Sequence, residues 1–318
     1  MRAPGWPGPD RHGRLHPHAI DRALGDGRMT ESGPPREGDF AAGAEGAPDL
    51  DERVRAYRAA QAEVMRAREF FGRLHALVPR PWATWALIAM NVAVFVVMVA
   101  SGVSATSPDG YDIFRWGGDF RPDTEDQPWR LLTACFVHVG AFHLLLNMYC
   151  LWILGPIAER AVGHSGYVAT HLLSGVAGSL ASHGFGAQAV GAGASGSVFG
   201  LLGLLLAYAV RLPRGTLPPD ARKAMLRTGL FNVAINLVVG LSLPMVNNAA
   251  HMGGLVGGFL VGLLISRPPT DEDVARRPRR AAVALVVGSV VLALAAGAMW
   301  STGWRSPWPS YETRRSRD

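Results

Sequence analysis

Residues 193–210 read GASGSVFGLLGLLLAYAV. No residue in the stretch is charged, and Arg211 follows it directly. A helix needs about 20 apolar residues to cross the hydrocarbon core of a bilayer. This run is nearly that long, but its opening is made of glycine, alanine and serine. Such a helix is a poor rod against lipid and a good packer against other helices. The stretch therefore predicts a membrane helix over 195–210 that is surrounded by protein, with the hydroxyl of Ser195 at one end.

Six further apolar runs stand near 82–101, 141–158, 166–183, 229–243, 250–266 and 281–300, giving seven spans. Nearly half of the 318 residues are hydrophobic, 18% are charged and the mean hydropathy is positive. These values point away from a soluble domain. The net charge of +6 comes almost wholly from arginine, Lys223 being the only lysine. No basic–aromatic groove pattern accompanies it, so nucleic acid is not an expected partner. Instead the arginines gather in alternate segments: before the first span, in 211–228 and in 267–280. The intervening segments 102–130, 184–194 and 244–249 are acidic or neutral. Positive-inside logic places the N-terminus in the cytoplasm and the C-terminus outside, as an odd number of spans requires.

Residues 1–50 are rich in Pro, Gly and charge without apolar periodicity, and are expected to be a disordered cytoplasmic tail. No apolar signal region precedes the first span, which is expected to direct insertion itself. In 51–79, Val54, Tyr57, Val64, Phe71, Leu74 and Leu77 recur at helical steps among arginines. This reads as an amphipathic helix lying on the membrane surface or as a solvated linker. Cys135 and Cys150 are the only cysteines and lie in no metal-ligand spacing. Neither a disulfide, nor a metal, nor a cofactor is expected.

Polar groups inside spans are costly and mark function by default. Three spans carry them. One has His143 and Asn147, the next opens Gly193-Ala194-Ser195-Gly196, and a third opens Ala250-His251-Met252-Gly253-Gly254. All three run from outside to inside. Arg160, Arg211 and Arg267 mark their inner ends. His143, Ser195 and His251 each stand about 16 residues, or ~24 Å, from that end. They should share one depth, roughly a turn or more below the outer boundary of a ~30 Å core.

A serine hydroxyl is a weak nucleophile and needs a neighbouring base. An imidazole can take its proton and return it to a leaving amine. Fixed donors must hold the oxyanion. The Ser195 N–H at a helix start is one, and His143 and Asn147, one turn apart on one face, supply others. No carboxylate stands nearby in sequence, so a Ser195–His251 dyad is expected rather than a triad. Gly196 and Gly200 form one small-residue ridge and Gly254 and Gly258 another, allowing close helix approach. Phe199, one turn after Ser195, can pack on the His251 ring.

Each feature alone has a plainer reading. A G-x-S-G tetrapeptide in a membrane helix is usually packing. A lone intramembrane histidine can serve an ion path. Asn236 reads as interhelical glue, and His171 and His183 as structural groups. A transporter with a polar midplane site would predict inverted repeats and carboxylates within the spans, and neither is present. The three sets in this order and at one depth favour nucleophilic catalysis.

With these residues in view the chain resembles the rhomboid protease family over about 82–266. The resemblance rests on Trp129-Arg130, Phe136, His138, His143-x-x-x-Asn147, Glu159 and Gly163. It continues through Gly193-Ala194-Ser195-Gly196 and Asn248-Ala249-Ala250-His251-x-x-Gly254-x-x-x-Gly258. It implies an all-α polytopic membrane protein: a rhomboid-like six-helix transmembrane core over 80–267. A cytoplasmic linker, a seventh helix and a short external tail would follow in 268–318. It also implies a Ser–His dyad in a water-filled cavity open to the outside, with His143, Asn147 and the Ser195 amide around the oxyanion. The expected partners are the lipid bilayer and single-span membrane-protein substrates, and the expected location is the cell membrane. An inactive relative that only binds membrane clients would lack Ser195 or His251, and this chain has both.

Overall fold

The computed structural model describes residues 50–185, 190–242 and 246–301. The tails 1–49 and 302–318, for which disorder and an external location were expected, lie outside the described residues. The chain divides into two units, one ending at Ala59 and one running from Ala60. The described part of the first, 50–59, is helical and opens α1 (Leu50–Leu77).

In the second unit the buried stripe of α1 is Phe70, Leu74 and, just past its end, Val78. Val64 and Phe71, of the apolar set read from the sequence, are exposed. Phe70 and Leu74, one turn apart on one face, meet the core.

Helix α2 (Trp82–Ala100) has 19 residues, about 28 Å, which matches the apolar thickness of a bilayer. The segment 102–130, expected to be an external loop, contains two short helices, α3 (Gly110–Arg115) and α4 (Arg121–Thr124), and α5 (Arg130–Thr133) follows. Arg130 ties them together. Its Nη1 donates to the carbonyls of Phe114 at 2.6 Å and Gly118 at 3.1 Å, and its guanidinium lies 3.7 Å over the Phe114 ring. A buried Asp119–His183 contact of 2.8 Å anchors the same segment to the far end of the next helix.

That helix, α6 (Ala141–Gly184), holds two of the predicted spans. Its arms, 141–162 and 164–184, are separated by Gly163 at φ 80°, a conformation that glycine adopts without a Cβ penalty. A straight helix would put positions 155 and 167 about 18 Å apart. A Cβ on Gly155 would instead lie 3.0 Å from the Tyr167 hydroxyl, so the arms fold back on each other. The fully buried Glu159 closes this end. It accepts from the backbone N–H groups of Ala83 (3.0 Å) and Thr84 (2.8 Å), and meets His164 at 2.5 Å.

Helix α7 (Ser195–Arg211) is central: residues 196–209 are buried without interruption. It packs on α6, on α9 (Asn248–Ile265) and more lightly on α8 (Pro219–Ser242), while α10 (Asp271–Ser301) packs on α6 and α9. The arginine-rich segments expected as loops are partly helical, since α8 begins ten residues before the predicted span and α10 also ten before. In α10 the cause is visible. Asp273 pairs with Arg277 one turn on at 3.2 Å, and Arg277 Nη2 donates to the Ala161 carbonyl at 3.2 Å. Ion pairing thus makes a charged stretch helical. Among the described residues five helices are long and apolar enough to cross a membrane by length and composition; α7 is shorter, and α6 supplies two arms. The protein is an all-helical, multi-pass membrane protein.

Candidate active site

Ser195 is the first residue of α7, behind Ala194 as N-cap. No side chain caps this end, so the backbone N–H groups of the first turn have no intrahelical acceptor. The segment leading to it is fixed from one side. Gly193 N–H donates to the Ala134 carbonyl at 2.9 Å, and Ala194 N–H points to His138 Nε2 at 3.4 Å. His138 is wholly buried. Its pKa is pushed down to about 3, chiefly by burial and then by the neighbouring His143 imidazole. It therefore stays neutral, as an acceptor must. Gly193 has φ 120°, and a Cβ there would lie 2.5 Å from His143 Cε1. Glycine lets the chain pass the imidazole of His143.

His143 is the third residue of α6 and stands 5.4 Å, ring to ring, from His138. Asn147 is buried one turn on, and its Nδ2 donates to the His143 carbonyl at 2.9 Å. One of the two amide hydrogens serves that bond.

His251 is the fourth residue of α9. The start of this helix is pinned by Asn247, whose side chain accepts from Ala250 N–H at 3.0 Å and donates to Ser182 Oγ at 2.6 Å. This is ordinary N-cap chemistry, and Asn247 is a residue the sequence reading passed over. The His251 ring stacks on Phe199, centroids 4.3 Å apart and planes 10° from parallel. Its Nδ1 is buried with no hydrogen-bond partner among the described residues. Ser195 Oγ and His251 share no hydrogen bond among the described residues; such bonds are often long until substrate is bound.

The glycine ridges meet directly. A Cβ on Gly254 would collide with the carbonyl of Gly196, and one on Gly258 with that of Gly200. A third surface, unseen in the sequence reading, completes the contact. Gly178 of α6 lies against the Ala250 carbonyl and Gly196, while Gly253 lies against Gly178 and the Ala177 carbonyl. Three backbones thus converge beside Ser195. The cleft there is lined by Asp119, Cys135, Ser179, Gly193, Ser195 and Asn247, among others. Among the described residues no group of His, Cys, Asp or Glu is arranged to hold a metal ion.

Several apolar helices around a core of buried polar groups define a polytopic membrane protein whose polar site faces one end of the bundle. Residues 125–268 match the Rhomboid domain. The chain is 30% identical over 233 residues to "Rhomboid protease GluP" of Bacillus subtilis (strain 168), covering 72% of this chain and 42% of that protein. To "RHOMBOID-like protein 1" of Arabidopsis thaliana it is 32% identical over 211 residues, covering 58% of this chain and 53% of that one. To "RHOMBOID-like protein 7" of the same plant it is 39% identical over 146 residues, 46% and 45% of the two chains. The chain spans about half the length of the curated relatives it matches. It belongs to the rhomboid family.

Proposed function

We propose that this protein is an intramembrane serine endopeptidase with Ser195 as nucleophile and His251 as general base. The observation that carries the reading is the glycine contact between α7 and α9, which sets the His251 ring on Phe199, one turn from Ser195. In this reading stacking, rather than a carboxylate, orients the imidazole. With Nδ1 sealed, Nε2 is the nitrogen that takes the Ser195 proton. The first-turn N–H of Ser195, favoured by the helix dipole, holds the oxyanion together with Asn147 and His143. The rhomboid name and the protease named among its relatives support this chemistry.

The arginine-poor end of α7 and α9 faces outward in this proposal, with the N-terminus cytoplasmic. Substrates are then single-span membrane proteins cut in the outer part of their spans. A substrate helix has all its backbone groups bonded internally, so a scissile carbonyl must first be freed. Gly and Pro weaken a helix locally and should mark the cut.

The test uses a fluorophosphonate probe on detergent-solubilised protein, then mass spectrometry of products from a substrate whose Gly/Pro pair is moved along its span. Labelling at Ser195, and cleavage that follows the pair at the outer end, are expected. An unlabelled Ser195 would assign a client-binding or transport role instead. Cleavage near the cytoplasmic end would reverse the orientation.

A further inference from the structure

The end of the bundle opposite Ser195 gathers positive charge that the described residues do not neutralise. Arg211 closes α7, and its Nε donates to the Leu263 carbonyl of α9 at 3.2 Å. Arg267 follows the last turn of α9, with Nη1 on the Ser266 carbonyl at 2.7 Å. Arg280 of α10 reaches back to the Asp273 carbonyl at 3.0 Å and to the Asp273 carboxylate. Burial, and then the like charges of Arg211 and Arg280, hold the Arg267 guanidinium below its ordinary pKa.

Asp273 is the one carboxylate among them, and Arg277 already engages its other oxygen at 3.2 Å. The remaining acids of the first turn of α10 are taken up elsewhere: Asp271 pairs with Arg73 at 3.0 Å and Glu272 with Arg276 at 2.7 Å. Arg277 and Arg280 thus already share the Asp273 carboxylate, and Arg267 and Arg211 stand beside them without an ion pair of their own among the described residues. The C-terminal dipoles of α7 and α9 offset about one further charge, which leaves roughly two positive charges.

A second observation is independent of charge. Ser266 Oγ and Arg280 Nε are buried without a hydrogen-bond partner among the described residues, and Ser266 is wholly buried. The Tyr208 hydroxyl, in the last turn of α7, is buried and unpartnered too. Snorkelling alone would send arginines out to water and leave no buried donors behind. Spare cations beside spare donors complement the oxygens of a phosphate.

We propose that this site binds the phosphate of an anionic phospholipid headgroup, with Arg211, Arg267 and Arg280 around it and Ser266 as a neutral donor. A lipid is the favoured source because the three arginines stand at or beside the ends of apolar helices, where the headgroup layer lies.

The full chain is placed in nanodiscs of phosphatidylcholine with or without phosphatidylglycerol, and melting temperature and lipid retention in native mass spectrometry are read. Phosphatidylglycerol should raise the melting temperature of the wild type and be retained by it. Arg211→Gln and Arg267→Gln should each weaken retention about five-fold, as loss of one arginine near a headgroup implies. Arg267→Lys should keep most of the response, and Arg276→Gln, exposed and paired with Glu272, all of it. Melting in phosphatidylcholine alone separates a misfolded variant from one that has lost the lipid. A wild-type response in both glutamine variants would overturn the site. The same shift from inorganic phosphate without phosphatidylglycerol would overturn the lipid as its source.

Discussion

Helices α7 and α8 are both apolar over most of their lengths, yet the first is buried over fourteen consecutive residues and the second buries only Gly229 and Gly240. Leu230, Phe231, Val238 and Leu241 of α8 are more than half exposed. Hydropathy does not separate the two, because lipid is as good a neighbour for leucine as another helix is. Small residues do. Gly196, Gly200 and Gly203 repeat along α7, and each faces backbone atoms of α9. The neighbour of Gly229 is instead the flexible end of Leu206, and that of Gly240 is the side chain of Asn248. Backbone against backbone makes a rigid pair, which suits a proton transfer that depends on tenths of an ångström. Side chain against lipid makes a helix held by few contacts, which suits a wall that must open.

The sharpest test of the rigid pair is loss of its proposed reacting groups. Ser195→Ala and His251→Ala should each abolish cleavage of a single-span substrate while the variants still insert and melt like the wild type. Nucleophile and base act as one unit, so either loss is near total. Cleavage retained by purified Ser195→Ala would place the chemistry elsewhere. Next in size is the oxyanion. Asn147→Ala should lower kcat by about 10² to 10³-fold with little change in KM, since such donors act in the transition state. A raised KM with intact kcat would make Asn147 a substrate contact or a packing residue.

Glycine substitutions then set the two helices against each other. Gly254→Val should cost about 10²-fold in rate and lower the melting temperature, because its side chain would press on the Gly196 carbonyl and displace His251. Gly229→Ala in α8 meets side chains rather than backbone: Leu206 Cδ2 at 2.6 Å and Cγ at 3.2 Å, with Leu202 Cδ1 at 3.7 Å, and these can turn away. Melting temperature and cleavage rate for both variants decide the matter. Equal damage would mean that α8 is as tightly seated as α9.

Much of this contrast was legible in the sequence, because it depends on local spacing. The spans, the Ser195, His251 and His143–Asn147 sets, and the Gly196/Gly200 and Gly254/Gly258 ridges all follow from residue types three or four apart. Features formed between distant segments were not legible. Glu159 with Ala83 and Thr84, Asp119 with His183, and the neutral His138 behind Ala194 join residues 56 to 76 positions apart. No periodicity announces such a partner. The helical start of α10 was hidden for another reason: charge density reads as loop, and only the pairing of Asp273 with Arg277 makes it helix. The inward stripe of α1 was not legible either: Phe70 and Phe71 are neighbours, and the pattern alone does not say which of two adjacent aromatics meets protein.

The smallest expected effect lies on the exposed side of α8. Phe231 is 66% exposed and sits in the apolar half of that helix, where lipid is its expected neighbour. Its replacement by alanine removes contacts with lipid rather than with protein. Stability should change by no more than about 0.5 kcal/mol, as for surface positions away from special features. Opening of α8 is a separate matter. If that helix swings aside to admit a substrate, its exposed side chains meet lipid in both positions, and truncating one leaves the opening equilibrium nearly where it was. The cleavage rate for Phe231→Ala should therefore stay within about two-fold of wild type, since 0.5 kcal/mol is worth little more than that. Melting and initial rates in nanodiscs measure both quantities on one sample. A fall in melting temperature comparable to that of Gly254→Val would show that Phe231 packs on protein in the bilayer, and the division into a rigid pair and a loose wall would fail at that helix.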